Sequence, residues 1–345
     1  MSPQPQDPLY LPVAPPLDPS WLEFERTSGI AAPKPAIPIL ERQPLYAASC
    51  RALTARMISP GARDEHLSRG IAVTPLTVPS SLDGFQIPVL RYAREEGPSP
   101  ATDASPTTVV IYIHGGGLHV GEADSEELSC RRIVLDSGLP GATVVFSIGY
   151  RLMPLHPAST CLSDCLDAFA SITSPLRPST KVLLLGSSSG GELAALLAGR
   201  VGRSRISGLA LRCPVTTDAF TSFEDSVPDR FKALHTSTLH PSFANCLLGK
   251  MVRAVPRDGL AYMPLEAPRE ELARMPGRAW VQVCSNDGLY GDGVCYARAL
   301  EGVGVEVRTD VCWGWPHTFW LKAPELQAAL GAEERMSAGL RWLAE

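Results

Sequence analysis

Gly186-Ser187-Ser188-Ser189-Gly190-Gly191 follows directly on the apolar run Lys181-Val182-Leu183-Leu184-Leu185 and passes into Glu192-Leu193-Ala194-Ala195-Leu196-Leu197-Ala198, a strong helix former. That order reads as strand, tight turn, helix. Three serines stand together, but only Ser188 has glycine both two places before it, Gly186, and two places after it, Gly190. A side chain presented on such a turn sits in a strained backbone conformation, with neighbours on both sides pressed too close for side chains. Glycine fits those flanking positions without steric cost. The frame therefore predicts Ser188 as a nucleophile and excludes Ser187 and Ser189 from that role.

Outward from this turn the pattern is regular. Strand-like runs are read near Phe85 to Tyr92, Thr108 to Ile113, Ala142 to Ser147, Lys181 to Leu185, Gly208 to Arg212, Ala279 to Cys284 and Val305 to Val311, with helices filling most of the gaps. Alternation of this kind predicts an α/β protein with a mostly parallel sheet covered on both faces. Residues 1 to about 80 are proline-rich and irregular, yet Asp18-Pro19-Ser20-Trp21 reads as an N-cap followed by proline at the first helical position. The stretch from about Pro214 to Pro276 places more than 60 residues between two strands. A simple crossover needs far fewer, so the excess is expected to build a lid or binding region.

Bulk properties narrow the class. In 345 residues, 45% hydrophobic and 19% charged, a sizeable core is expected and wholesale disorder is not. A net charge of −5 offers no general attraction to phosphate backbones or anionic lipid, which argues against a nucleic-acid partner. The start, MSPQPQDPLYLPVAPPLDPS, has no basic segment followed by an apolar stretch, and no run of about 18 apolar residues occurs anywhere. The expectation is a soluble, cytoplasmic protein without stable membrane insertion. The nine cysteines show no paired C-x-x-C spacing and read as reduced core residues, including Cys161 and Cys165 one helical turn apart.

A serine hydroxyl needs a base to take its proton. His317 is expected to serve, because it lies in the loop Trp313-Gly314-Trp315-Pro316-His317-Thr318 directly after the last strand. His66, His156, His235 and His240 read instead as solvated loop histidines. The base in turn needs a carboxylate to fix its tautomer. Asp287, in the turn after the strand ending at Cys284, is preferred over Asp292 five residues on and over Asp310 inside a strand. It lies closest to the carboxyl end of its strand, where such sheets gather their sites. Donors for a developing oxyanion are expected from Gly115, Gly116 and Gly117, which end the strand Ile111-Tyr112-Ile113, and from the amide of Ser189. His114 is expected to hold the glycine loop in shape, and Ser187 to find a hydrogen bond nearby.

With His114-Gly115-Gly116-Gly117 and the GxSxG turn placed, the chain resembles the hormone-sensitive-lipase-like family of α/β-hydrolases, serine carboxylesterases with an HGGG motif. Gly149-Tyr150-Arg151-Leu152-Met153-Pro154 is similar to the family's YRLAPE-like strand exit, and Asp287-Gly288-Leu289-Tyr290-Gly291-Asp292-Gly293 to its acid loop. The resemblance implies an α/β-hydrolase fold with a helical cap: residues 1–80 a cap segment, 81–213 the first part of the core, 214–276 a cap insertion, and 277–345 the second part of the core. It implies that Gly116, Gly117 and Ser189 form the oxyanion hole with Gly115 supporting, and that the N-terminal helices and the insertion together shape the pocket. Two departures stand out. The family usually has GDSAGG, where Ser187 and Ser189 here replace the acid and the alanine. Its histidine is commonly followed by glycine, where this chain has Thr318.

The expected activity is cleavage of carboxylic esters through an acyl-enzyme on Ser188, with no metal or organic cofactor and a small-molecule ester or acyl substrate. The sequence leaves open an acyltransferase, a thioesterase, or a lactone-forming or lactone-opening enzyme on the same three residues. It leaves open as well a binding protein on an esterase frame, and a homodimer.

Overall fold

The computed structural model describes residues 7–30, 32, 37–95, 106–220, 222–236 and 256–345. Eight strands form one sheet: β1 (Ile71–Pro79), β2 (Gln86–Arg94), β3 (Thr108–Ile113), β4 (Thr143–Ile148), β5 (Lys181–Ser187), β6 (Gly208–Arg212), β7 (Arg278–Asn286) and β8 (Glu306–Pro316), in the order β1-β2-β4-β3-β5-β6-β7-β8. β2 pairs antiparallel with both β1 and β4, and the remaining pairs are parallel. Every residue of β3 is buried, as expected of a strand covered on both faces.

Side chains of the central strands alternate between two cores. Val109, Ile111, Ile113, Leu184 and Leu209 face one, packed with α4 (Ala158–Thr173) and α5 (Ser189–Val201). Val110, Tyr112, Leu183, Leu185 and Ala210 face the other, with α3 (Glu127–Asp136) and the C-terminal helix Gln327–Ala344. Helices therefore cover both faces, and the two-residue period of the strands sorts the apolar residues between them. Cys161 and Cys165 pack in the first core.

One strand was not expected. β1 lies within the stretch 1–80 that reads as irregular, because Pro75 and Pro79 break its strand signal. It is an edge strand, and a proline there costs no ladder hydrogen bond on its open side. The N-terminal helix does form as the capping signal predicts: α1 (Pro19–Ser28) has Asp18 accepting the Ser20 amide at 2.8 Å. Before it, residues 7–18 lie along the carboxyl ends of the last two strands, tied by Asn286 Nδ2 to the Pro15 carbonyl and by the Asp18 amide to Gly314.

The chain leaves β3 toward β4 on one side and leaves β5 toward β6 on the other. That opposition opens a crevice at the carboxyl ends of β3 and β5, the place where open α/β sheets bind ligands. The HGGG loop and the triple-serine turn both fall there.

Candidate active site

Ser188 occupies the turn between β5 and α5 with φ 54° and ψ −120°, a left-handed conformation rare for a side-chain-bearing residue. The turn closes because Gly186 and Gly190 are bare: a Cβ on either would lie 2.2 Å from the Gly190 carbonyl oxygen or 2.1 Å from that of Ile113. The Ser188 amide donates to the Arg212 carbonyl at 2.8 Å, anchoring the turn to the end of β6.

His317 follows β8, and its Nε2 lies 2.9 Å from the Ser188 hydroxyl. Nδ1 lies 2.6 Å from Oδ2 of Asp287, just beyond β7, so Nδ1 carries the proton it donates and Nε2 is left to accept from serine. The other Asp287 oxygen accepts the Leu289 amide at 2.9 Å. Asp287 is fully buried. Burial disfavours the His317 imidazolium, but the charge and hydrogen bond of Asp287 outweigh it and raise the imidazole above its ordinary value.

The structure thus brings together Ser188, Asp287 and His317, and it gives the rival acids other partners. Asp292 accepts the amides of Thr216 and Thr217 and pairs with His235 at 2.8 Å. Asp310 pairs with Arg335 and Gln282. His235 is therefore not a solvated loop histidine as its irregular surroundings suggest; it is buried against Asp292 and the Phe223 ring. His66 is exposed and pairs with Asp136, His156 is half-buried, and His240 lies outside the described residues.

Thr318 explains how the loop after His317 survives without glycine. It adopts φ 48° and ψ 39°, the left-handed conformation glycine would take freely. The Lys322 ammonium donates to the His317 carbonyl at 2.7 Å and fastens the turn.

The glycine loop faces this group. Gly116 has φ 120°, and a Cβ there would meet the Val120 carbonyl at 2.0 Å. Among the described residues, no protein acceptor takes the N–H groups of Gly116 or Gly117. Ser189 is the first residue of α5, where amides have no partner within the helix, and its hydroxyl accepts the Leu118 amide at 3.1 Å. Gly115 is different: its N–H donates to Oε1 of Glu126 at 2.8 Å, so it is already committed. Among the described residues the Ser187 hydroxyl is buried without a hydrogen bond, contrary to expectation. His114 stacks on Tyr150 and donates from Nδ1 to the Gly115 carbonyl at 2.7 Å; burial holds it neutral, with its pKa pushed down to about 4.

A cavity of about 520 Å³ opens over Ser188 and His317, a size suited to a small organic molecule. Its outer wall comes from Trp21 of α1 and from Leu45, Tyr46 and Leu53 of α2 (Ile39–Met57). Among the described residues, none from 214–276 lines it, although the resemblance implied that the insertion shares the pocket. The described part of that stretch packs on the core beside α4 and α5 through Val227, Phe231, Leu265 and Leu272. Trp320 borders the cavity with its ring 3.9 Å beneath the Arg212 guanidinium, whereas Trp315 and Phe319 stack on each other in the core.

Sequence reading missed two groups here. Glu126 sits in the acidic run Glu122-Ala123-Asp124-Ser125-Glu126-Glu127. Cys213 lies within 4.8 Å of Asp287 and His317, all three buried, with its sulfur 3.5 Å from that of Cys284. Neither position carries a sequence signal of its own.

The family described as alpha/beta hydrolase fold matches residues 110–321. The chain is 30% identical over 260 residues to the FAD-linked oxidoreductase pytB of Aspergillus terreus, covering 71% of this chain and 30% of that protein. It is 29% identical to an ethyl acetate hydrolase of Pseudomonas putida, over 69% of this chain and 72% of the other. With the versiconal hemiacetal acetate esterase of Dothistroma septosporum it shares 24% identity over 94% of each chain. A solved hyperthermophilic esterase of Pyrobaculum calidifontis superposes with a TM-score of 0.75 at 23% identity, over 96% and 99% of the chains, which shows the shared fold.

Proposed function

From the premise that this chain belongs to the alpha/beta hydrolase fold family, as one of its hormone-sensitive-lipase-like members, we propose that it is a serine carboxylesterase. The observation that carries the reading is the continuous line from the Ser188 hydroxyl through His317 to Asp287, at 2.9 and 2.6 Å.

In the reaction so read, His317 Nε2 takes the Ser188 proton as the oxygen attacks the ester carbonyl. The carbonyl oxygen gains negative charge, met by the amides of Gly116, Gly117 and Ser189. The intermediate collapses, His317 gives the proton to the departing alcohol, and an acyl group is left on Ser188. Water, deprotonated by the same imidazole, then attacks that acyl group and releases the carboxylic acid, returning the proton to Ser188. Asp287 stabilises the imidazolium in both halves. The ethyl acetate hydrolase and versiconal hemiacetal acetate esterase among the relatives support an oxygen ester as substrate. Seven of the eight described cysteines are buried, and all eight are free thiols, which suits a reducing cytoplasm.

Hydrolysis of p-nitrophenyl esters of graded chain length, measured beside thioesters and lactones, tests the reading. Ester cleavage that falls by about three orders of magnitude or more in Ser188→Ala is expected; undiminished cleavage in that variant would refute it.

A further inference from the structure

Three glycines in succession are conformationally loose, so the aim of the Gly116 and Gly117 amides depends on what holds each peptide plane of the loop. The plane that carries the Gly117 N–H is held by the Gly116 carbonyl, which accepts the His119 and Val120 amides at 3.1 Å. A trans peptide points its C=O and N–H in opposite directions, and fixing one therefore aims the other. The peptide joining Gly115 to Gly116 is held by its carbonyl, which accepts from His114 Nδ1 at 2.7 Å. The peptide before it is held at both ends: the His114 carbonyl accepts the Tyr150 hydroxyl at 2.9 Å, and the Gly115 N–H donates to Glu126 Oε1 at 2.8 Å.

Glu126 stands immediately before α3 and is 4% exposed. Its second oxygen accepts the Tyr112 hydroxyl at 2.5 Å. Tyr112 belongs to β3, so the carboxylate bridges the rigid strand to the loop that the strand releases. The fit is close, for a Cβ on Gly115 would sit 3.4 Å from Oε1 and 3.0 Å from the Ser187 carbonyl. Glu126 also borders the cavity. A buried carboxylate is costly, and it is tolerated where its lone pairs are taken up and opposite charge is near. Here burial raises its pKa, against the two hydrogen bonds and the Arg212 guanidinium, with Glu333 adding to the rise.

We propose that Glu126 is a positioning residue for ester cleavage: by clamping the Gly115 amide to Tyr112 it anchors the first peptide plane of the loop, from which the planes carrying the Gly116 and Gly117 N–H groups continue toward the oxyanion. The proposal rests on the esterase reading above. Removing the clamp leaves substrate binding in place and loosens donors that matter in the transition state. Its signature is a fall in kcat at nearly constant KM.

The test uses Glu126→Asp and Glu126→Gln in the full chain with p-nitrophenyl butyrate. Glu126→Asp keeps charge and polarity but withdraws the oxygen from Gly115; a shift of about 1 Å in catalytic geometry can cost up to about a hundredfold, and a loss of at least about tenfold in kcat is expected. Glu126→Gln keeps an acceptor oxygen at the same reach and is expected to stay within about threefold of wild type. Unchanged kcat in Glu126→Asp, an equal loss in both variants, or an effect confined to KM overturns the proposal. Absence of hydrolysis by the wild type overturns the esterase reading and this proposal together, so the two failures are told apart.

Discussion

His235 and Asp292 form a buried pair, Nε2 to Oδ1 at 2.8 Å, remote in function from the pair of His317 and Asp287. Both pairs join a histidine to an aspartate, but only the second reaches the Ser188 hydroxyl. Asp292 spends its carboxylate holding the chain after β6, through the Thr216 and Thr217 amides. Asp292→Ala should destabilise the protein by about 3 kcal/mol or more, because several buried donors lose their acceptor together. Chemical denaturation should show that loss, while kcat of the folded fraction stays near wild type.

Asp287→Asn should act in the opposite way. An amide cannot supply the charge that stabilises the imidazolium, and a loss of about four orders of magnitude in kcat is the scale for such a change. The pH profile carries a second mark. On the esterase reading the reaction needs neutral His317, whose pKa Asp287 holds above the ordinary value despite burial. In the wild type the rising limb of kcat/KM therefore lies at higher pH than an ordinary histidine gives. Without the carboxylate's charge it should move to lower pH in Asp287→Asn.

Thr318→Gly should leave activity within a few-fold and leave stability equal or higher. The left-handed conformation costs a side-chain-bearing residue about 1–2 kcal/mol, and the greater freedom of glycine in the unfolded chain returns part of that gain. Gly116→Ala, with a Cβ forced to 2.0 Å from the Val120 carbonyl, should instead lower kcat by about a hundredfold or more, as loss of an oxyanion donor does. Denaturant midpoints and steady-state kinetics on the two variants check both.

The cavity's outer wall belongs to the N-terminal helices, so enlarging a side chain there should select against bulk. Leu53→Trp is expected to reduce kcat/KM for octanoyl esters more than for acetyl esters. A parallel fall for both chain lengths would place the acyl group elsewhere.

The sheet and the turn at Ser188 were legible because their signals are local. Gly186 and Gly190 frame one serine, β3 to β7 announce themselves by mostly apolar runs, and β8 by valines alternating with charged residues from Val305 to Val311. His317 and Asp287 were legible because each closes a strand, and chain order carries over to position along the sheet. What escaped was decided by contacts distant in sequence. Pro75 disguises β1, whose strand character depends on lying at an edge. His235 looks solvated until Asp292, 57 residues on, is seen to hold it. Glu126 sits in an acidic run and is buried by Tyr112 and Gly115, which no period or spacing announces. The wall of the pocket was open in the same sense, since α2 and the 214–276 stretch have equal claim until they are packed.

The account stands on Ser188 being the activated nucleophile, and a fluorophosphonate probe reads that directly. Intact mass and peptide mapping of the full chain should show one phosphonyl adduct, on the Ser188 peptide, formed fast in the wild type, far more slowly in His317→Ala, and not at all in Ser188→Ala. An adduct on another residue, or none on folded protein, would contradict it.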